Sequence, residues 1–252
     1  MSGASILSIQ GLNKRFGGLV ATDNVSLDVI PGEVHSIIGP NGAGKTTLIA
    51  QLSGMLEPDE GKVIFDGKDI TDLSAADRSL AGLARSFQIT SILPDFTTLQ
   101  NVALAVQAHA GHSFRFWKPA ATDPELVDPA RDILRRLELS HREDVPAGAL
   151  SHGEQRQLEI GMALATEPKL LLLDEPMAGM GPEASVRMTE FLKTLKGAYS
   201  ILLVEHDMDA VFELADRISV LVYGRVIATG TADEIRANDE VRKAYLGDEE
   251  AV

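Results

Sequence analysis

At 252 residues the chain has room for one large domain or two small ones, each with an ample core. Hydrophobic residues make up 44% and charged residues 24%, the balance of a globular protein, while a net charge of −14 argues against nucleic-acid backbone binding, which needs an excess of Lys and Arg. There is no cysteine, which excludes disulfides and thiolate metal sites. The opening "MSGASILSIQGLNKRF" lacks the basic start and long apolar stretch of a signal peptide. The longest apolar runs, "LLLL" and "ILLV", are too short to cross a bilayer, so the expected location is the cytoplasm, with any membrane link supplied by a partner.

The first part of the chain reads as antiparallel. "NVSLDVI" alternates Val25, Leu27 and Val29, the period of a half-buried strand, and "PGE" then turns the chain. "VHSII" is a short buried strand running into a glycine-rich loop. "KVIFDGKDI" is a strand pair turned at Asp66-Gly67. In "TTLQNVALAVQAHAG", Leu99, Val102, Ala103 and Val106 share one helical face. "GHSFRFWKPAATDPELVDPA", rich in Gly, Pro and aromatics, reads as an insertion loop, followed by a helix in "PARDILRRLEL". From Leu170 the pattern is α/β: the strand "LLLLDE", a helix that starts at Pro182 and stops at Gly197, and the strand "YSILLVEH". "RISVLVYGRVIATG" is a closing hairpin, and "TADEIRA" offers a Thr–Glu capping box.

Two stretches carry phosphate chemistry. "GPNGAGKT" has Gly39, Gly44, Lys45 and Thr46 at glycine-loop spacing, between a buried strand and a helix. Glycines let backbone N–H groups curl around phosphate oxygens. Lys45 is placed to bridge the β- and γ-phosphates and Thr46 to ligate Mg²⁺. Asn41, Gly42, Ala43, Gly44, Lys45, Thr46 and Thr47 are the candidate nucleotide-binding stretch. Such a loop needs a metal-orienting carboxylate on a neighbouring strand. Asp174, at the C-terminal end of a four-leucine run, fits that role, and Glu175 fits the general base that activates water. The plainer alternative is a pair of acids leading a helix after Pro176.

The second stretch is "LSHGEQRQLEIGMAL", with Ser151 and Gly153 in front of an amphipathic helix, which is how a chain builds an anion pocket. Its alternative is local: Ser151 and Glu154 make an S-x-x-E capping box. "SFRFWKP" interleaves basic and aromatic residues, but the run is short and the chain acidic, so Phe114, Phe116 and Trp117 are read as packing under their loop or meeting a partner, with no nucleic acid.

The order Phe16, glycine loop, Gln88, "LSHGE", "LLLLDE", His206 resembles the ATPase subunit of ABC transporters over essentially the whole chain. "RSFQ", "LSHGEQRQLEI", "LLLLDEP", "VEHDM" and "VRKAYLG" carry a narrower resemblance to ATPases of importers for branched-chain amino acids and related amides. The resemblance implies an α/β P-loop nucleotide-binding domain with an N-terminal antiparallel β-subdomain. Its ATP-binding core would span 1–88 and 165–252, with a helical subdomain inserted at about 89–164. It implies ATP and Mg²⁺ as ligands, with Phe16 stacking on adenine, or else serving as an ordinary core aromatic. Gln88 would touch Mg²⁺ or the attacking water and report ATP status, and His206 would contact the γ-phosphate. Ser151 and Gly153 would close over ATP held by a second ATPase, identical or paralogous, packed head to tail. Further implied partners are transmembrane permease subunits, with a groove for a permease helix near Ile92, Leu93 and Phe96, and indirectly a secreted solute-binding protein. The chain departs from the commonest pattern at His152 for glycine, Glu154 for glutamine and Gly181 for an aspartate that communicates across the dimer. An exporter or lipid-transport ATPase would share every catalytic motif. A soluble ABC-type clamp in translation or repair would usually fuse two halves or carry long inserted helices, which do not occur here.

Overall fold

The computed structural model describes residues 5–85, 92–110 and 123–246. An antiparallel sheet comes first. It is built from β1 (Leu7–Phe16), β2 (Leu19–Val29), β4 (Glu60–Phe65) and β5 (Lys68–Asp69) in the order β2-β1-β4-β5. Val25, Leu27 and Val29 are buried on its inner face, as the alternation requires. Asp66 and Gly67 both take positive φ (48° and 74°), the geometry of a type I′ hairpin turn. The sequence reading did not resolve β1 or the first half of β2, because polar residues interrupt their alternation and the pair is bulged.

The second sheet has six strands in the order β10-β9-β3-β8-β7-β6. They are β3 (Val34–Ile38), β6 (Leu83–Arg85), β7 (Leu170–Asp174), β8 (Ser200–Val204), β9 (Arg217–Val222) and β10 (Arg225–Gly230). All pair in parallel except β10, the hairpin partner of β9. β3, β7 and β8 are buried along their whole length, which is why "LLLLD" and "SILLV" read as unbroken apolar runs. One expectation is corrected. Asp174 does not stand on the strand next to the glycine loop's strand, because β8 lies between β3 and β7.

Helices cover the sheets: α1 (Lys45–Leu52), α2 (Ala75–Leu80), α3 (Thr98–Ala110), α4 (Pro124–Arg136), α5 (His152–Leu164), α6 (Pro182–Leu195), α7 (Met208–Leu214) and α8 (Ala232–Ala237). α3, α4 and α5 pack on one another through Val102, Ala130, Leu134 and Leu158, forming the helical subdomain. The insertion loop is shorter than its composition suggested, because 124–136 is helix α4. Asp123 caps it, Pro124 occupies the first turn where no N–H is needed, and Leu126, Val127, Ala130 and Leu134 form its buried face. Pro129 costs one backbone hydrogen bond inside it. Phe114, Phe116, Trp117 and Gln88 lie outside the described residues.

Two arginines, one buried and one half-buried, fix the layers. Arg78 of α2 is 1% exposed and donates to the carbonyls of Gln51 and Leu52, both at 2.7 Å, which ties it to the last turn of α1. A cation there complements the negative end of the helix dipole and so anchors the helix that opens at the glycine loop. Arg217, at the start of β9, donates to Glu33 at 2.9 and 3.0 Å and to the Asp28 carbonyl at 2.7 Å, stitching the second sheet to β2. Burial opposes the charge of Glu33. Hydrogen bonds from His35, Arg217 and the Ile30 amide outweigh it and push its pKa down to about 2.

Candidate functional site

β3 runs into the glycine loop at its C-terminal end, between β8 and β9, where an open α/β sheet offers a crevice. The loop's shape is forced by its own chain. Gly44 has φ +103°, and a Cβ there would lie 2.1 Å from the carbonyl oxygen of Ala21. Only glycine fits, so α1 starts with its first N–H groups facing the crevice.

The crevice is a cleft of about 300 Å³ lined by Phe16, Leu19, Val20, Ala21, Asn41, Gly42, Ala43, Gly44, Lys45, Thr46, Thr47, Glu175 and His206. All seven residues of the candidate nucleotide-binding stretch are thus brought together with Phe16, Glu175 and His206. Phe16 is half exposed at the rim, with the Lys14 ammonium 5.9 Å from its ring centroid, so it is not the core phenylalanine of the alternative reading. Lys45 is buried and donates to the carbonyls of Gly39 (2.6 Å) and Pro40 (3.1 Å). Burial lowers its pKa, against the opposing pull of Glu175 and Asp174.

The parallel register sets Asp174 opposite Val204, so the next residues, Glu175 and Glu205, leave the sheet side by side. Glu175 sits at φ +49°, a left-handed conformation that costs a side-chain-bearing residue about 1–3 kcal/mol. Its amide still bonds the Val204 carbonyl at 2.8 Å. The turn aims the carboxylate at the cleft, where Oε1 lies 2.6 Å from His206 Nε2. A carboxylate paired to an imidazole at the mouth of a phosphate loop can orient and deprotonate water.

Asp174 is 1% exposed and is not among the residues that line the cleft. Burial raises its pKa, while Arg85 opposes the rise by donating from Nη2 to Oδ2 at 3.2 Å. Its carboxylate and the Thr46 hydroxyl are hard oxygen donors of the kind Mg²⁺ takes, alongside phosphate oxygens and water. No group of three or more acids and histidines that could cage a metal occurs among the described residues.

Ser151 and Gly153 do not join this cleft. They line a separate one of about 190 Å³ with His152, Gln157, Gly179, Met180, Gly181 and Arg187. Ser151 caps α5, its Oγ accepting from the Glu154 amide at 3.4 Å, and Glu154 Oε2 accepts from the Ser151 amide at 2.8 Å, so the capping box is complete. Burial works against the Glu154 charge. The hydrogen bonds from Ser151 and the Arg142 guanidinium outweigh it and hold its pKa below the usual range. The acid at this departure therefore spends its charge on the helix start. Gly153 has ordinary backbone angles, and a Cβ there would meet only the Ala184 Cβ at 3.6 Å. No described residue requires glycine at this position.

Two site residues escaped the sequence reading. Arg85 touches Asp174 and donates to Ser53 Oγ at 3.1 Å. Glu205 is 3% exposed and accepts from the amides of Met177 and His206, both at 2.8 Å, and of Asp207 at 3.5 Å. Burial raises the Glu205 pKa, the three amides oppose this, and Glu175 adds to it. The available signal was an acid abutting a wholly apolar strand in "ILLVEH".

The chain is similar to known proteins along most of its length. The family described as "ABC transporter" matches residues 22–178, and "Branched-chain amino acid ATP-binding cassette transporter" matches 225–251. The high-affinity branched-chain amino acid transport ATP-binding protein BraF of Pseudomonas aeruginosa is 37% identical over 96% of this chain and 98% of its own. The probable branched-chain amino acid transport ATP-binding protein LivG of Archaeoglobus fulgidus is 40% identical over 96% and 95%. Among solved structures, the ADP conformation of an ATP-binding cassette of an ABC transporter superposes with a TM-score of 0.84 at 36% identity, covering 97% of this chain and 99% of that one. A dimeric bacterial ABC transporter cassette superposes at 0.76 and 26% identity, covering 89% and 98%.

Proposed function

The chain belongs to the ABC transporter family of ATPases, and from that premise we propose that it powers an import system for branched-chain amino acids or related small amino-acid, amide or organic-acid solutes. The Glu175–His206 pair, 2.6 Å apart at the mouth of the glycine-loop cleft, is the observation that carries the ATPase chemistry. ATP enters with its base on Phe16 and its phosphates on the N–H groups from Gly42 to Thr47. Lys45 exchanges its loop carbonyls for phosphate oxygens. Thr46 and Asp174 would hold Mg²⁺, with Gln88 as the further ligand the family resemblance implies, and the ion would supply charge neutralisation on the phosphates. Glu175 takes the proton of the attacking water, while His206 orients that carboxylate and contacts the γ-phosphate.

The second cleft gives the reading its quaternary part. Ser151 and Gly153 stand outside the ATP cleft of their own chain, and glycine at 153 has no internal cause. A head-to-tail partner ATPase, identical or paralogous, supplies that cause when its nucleotide approaches the start of α5. ATP then bridges two subunits, and its hydrolysis removes the bridge.

No helix among the described residues is long and apolar enough to cross a membrane. In the import reading the solute's path belongs to permease subunits, with this chain at their cytoplasmic face. An apolar groove of about 300 Å³, lined by Met55, Ala75, Leu83, Ala105, Ala108 and Met162, suits a permease helix. Ile92, Leu93 and Phe96 do not line it, although Leu93 and Phe96 are themselves exposed apolar residues. Substrate choice rests with the permeases and the secreted solute-binding protein. The test is uptake of labelled leucine into vesicles holding this chain, its permeases and its binding protein. ATP-dependent uptake that stops on omission of this chain is expected. Efflux, or lipid movement in place of uptake, would contradict the import reading.

A further inference from the structure

We infer that Glu205 is a positioning residue whose buried carboxylate holds Glu175 and His206 in mutual register and ties both to the 177–181 segment that faces a second ATPase. The inference rests on the ATPase reading above. Its geometry is specific. Oε1 accepts from the Met177 amide at 2.8 Å, two residues past Glu175. Oε2 accepts from the His206 amide at 2.8 Å and the Asp207 amide at 3.5 Å. One carboxylate therefore grips the chain leaving β7 and the chain leaving β8 just where each presents its reacting group.

The cost of this arrangement argues that it has a use. A carboxylate 3% exposed loses most of its hydration and is retained only if hydrogen bonds replace it. A strand end could be closed by an apolar residue without that cost. The amides it satisfies are those of His206 itself and of the residue after Pro176, and neither has a ladder partner. Glu205 also lines a third cleft, of about 350 Å³, which shares Glu175 and His206 with the ATP cleft and Met180 with the Ser151 cleft. The carboxylate thus stands between the hydrolysis pair and the face left for another subunit.

Glu205→Gln tests this with little change of shape. A glutamine keeps one acceptor oxygen and turns an NH₂ toward one of the amides, so both strands cannot be held. The expected result is a fall in kcat of about 10- to 100-fold in the assembled transporter, as for a misplaced catalytic pair, with KM and the ATP affinity of the free subunit nearly unchanged. Amide hydrogen exchange should speed up about tenfold or more at Met177 and His206, while Leu202 and Leu203 inside β8 stay protected. Glu205→Asp, whose carboxylate is one methylene short of spanning both strands, should give the same pattern and carries the test if the glutamine variant does not fold. Unchanged kcat in a folded variant would overturn the inference. So would a loss of ATP affinity and of β8 protection along with kcat, which would mark Glu205 as general support. Glu175→Gln is the control. If it abolishes turnover while Glu205→Gln turns over normally, only this inference falls. If Glu175→Gln turns over normally, the ATPase assignment of Glu175 falls, and this inference with it.

Discussion

Two helix starts in this molecule look alike in sequence and differ in cause. At α1, glycine is dictated from within: Gly44 has φ +103° and the Ala21 carbonyl leaves no room for a Cβ. At α5, no described residue dictates it: Gly153 has ordinary angles, and a Cβ there would make only an ordinary contact with the Ala184 Cβ at 3.6 Å. The first start is a finished site, walled by β2, the Glu175 turn and His206. The second is a surface whose capping needs are met by Ser151 and Glu154 and whose glycine has no internal reason. A motif residue unexplained by its own fold points to a partner. Conserved-looking spacing alone would not have separated the two.

The sharpest break falls on the finished site. Glu175→Gln should lower turnover about 10²–10⁴-fold while ATP still binds, because the loop and Lys45 are untouched. Steady-state hydrolysis beside nucleotide binding checks this, and wild-type turnover would remove Glu175 from the role of base. Next comes the pair of glycines. Gly44→Ala should abolish ATP binding and cost about 1–3 kcal/mol of stability or more, from a disallowed φ and a clash with backbone. Gly153→Ala should leave the melting curve of the subunit within about 1 kcal/mol of wild type, or slightly improved by helix propensity, and leave its ATP binding intact, yet block ATP-driven association. Equal effects at the two glycines would erase the comparison. The smallest effect is Ser151→Ala, which removes the helix cap and should cost about 1 kcal/mol in denaturant unfolding.

Much of the ATP cleft was legible because its parts are local. The glycine loop, the apolar run before Asp174 and the strand before His206 each announce themselves within about ten residues. What escaped was built from distant pieces. The wall made by Leu19, Val20 and Ala21 belongs to a bulged strand whose alternation is broken. Arg78 and Arg85 look like surface charges in sequence, and only their burial against carbonyls and Asp174 gives them their roles. The insertion of β8 between β3 and β7 could not be read from the order of elements, because strand order in a parallel sheet is set by crossovers. The start of α4 was hidden by prolines that the first turn of a helix tolerates.

The most direct test of the claim that the α5 start serves another chain is the ATP affinity of the isolated monomer, measured by equilibrium titration for Ser151→Arg beside Lys45→Ala. Lys45→Ala should bind ATP much more weakly. Ser151→Arg should bind it as wild type does, although hydrolysis and ATP-driven closure with a second ATPase are blocked. A Ser151→Arg monomer that has lost its ATP affinity would place Ser151 in its own chain's site and contradict the account.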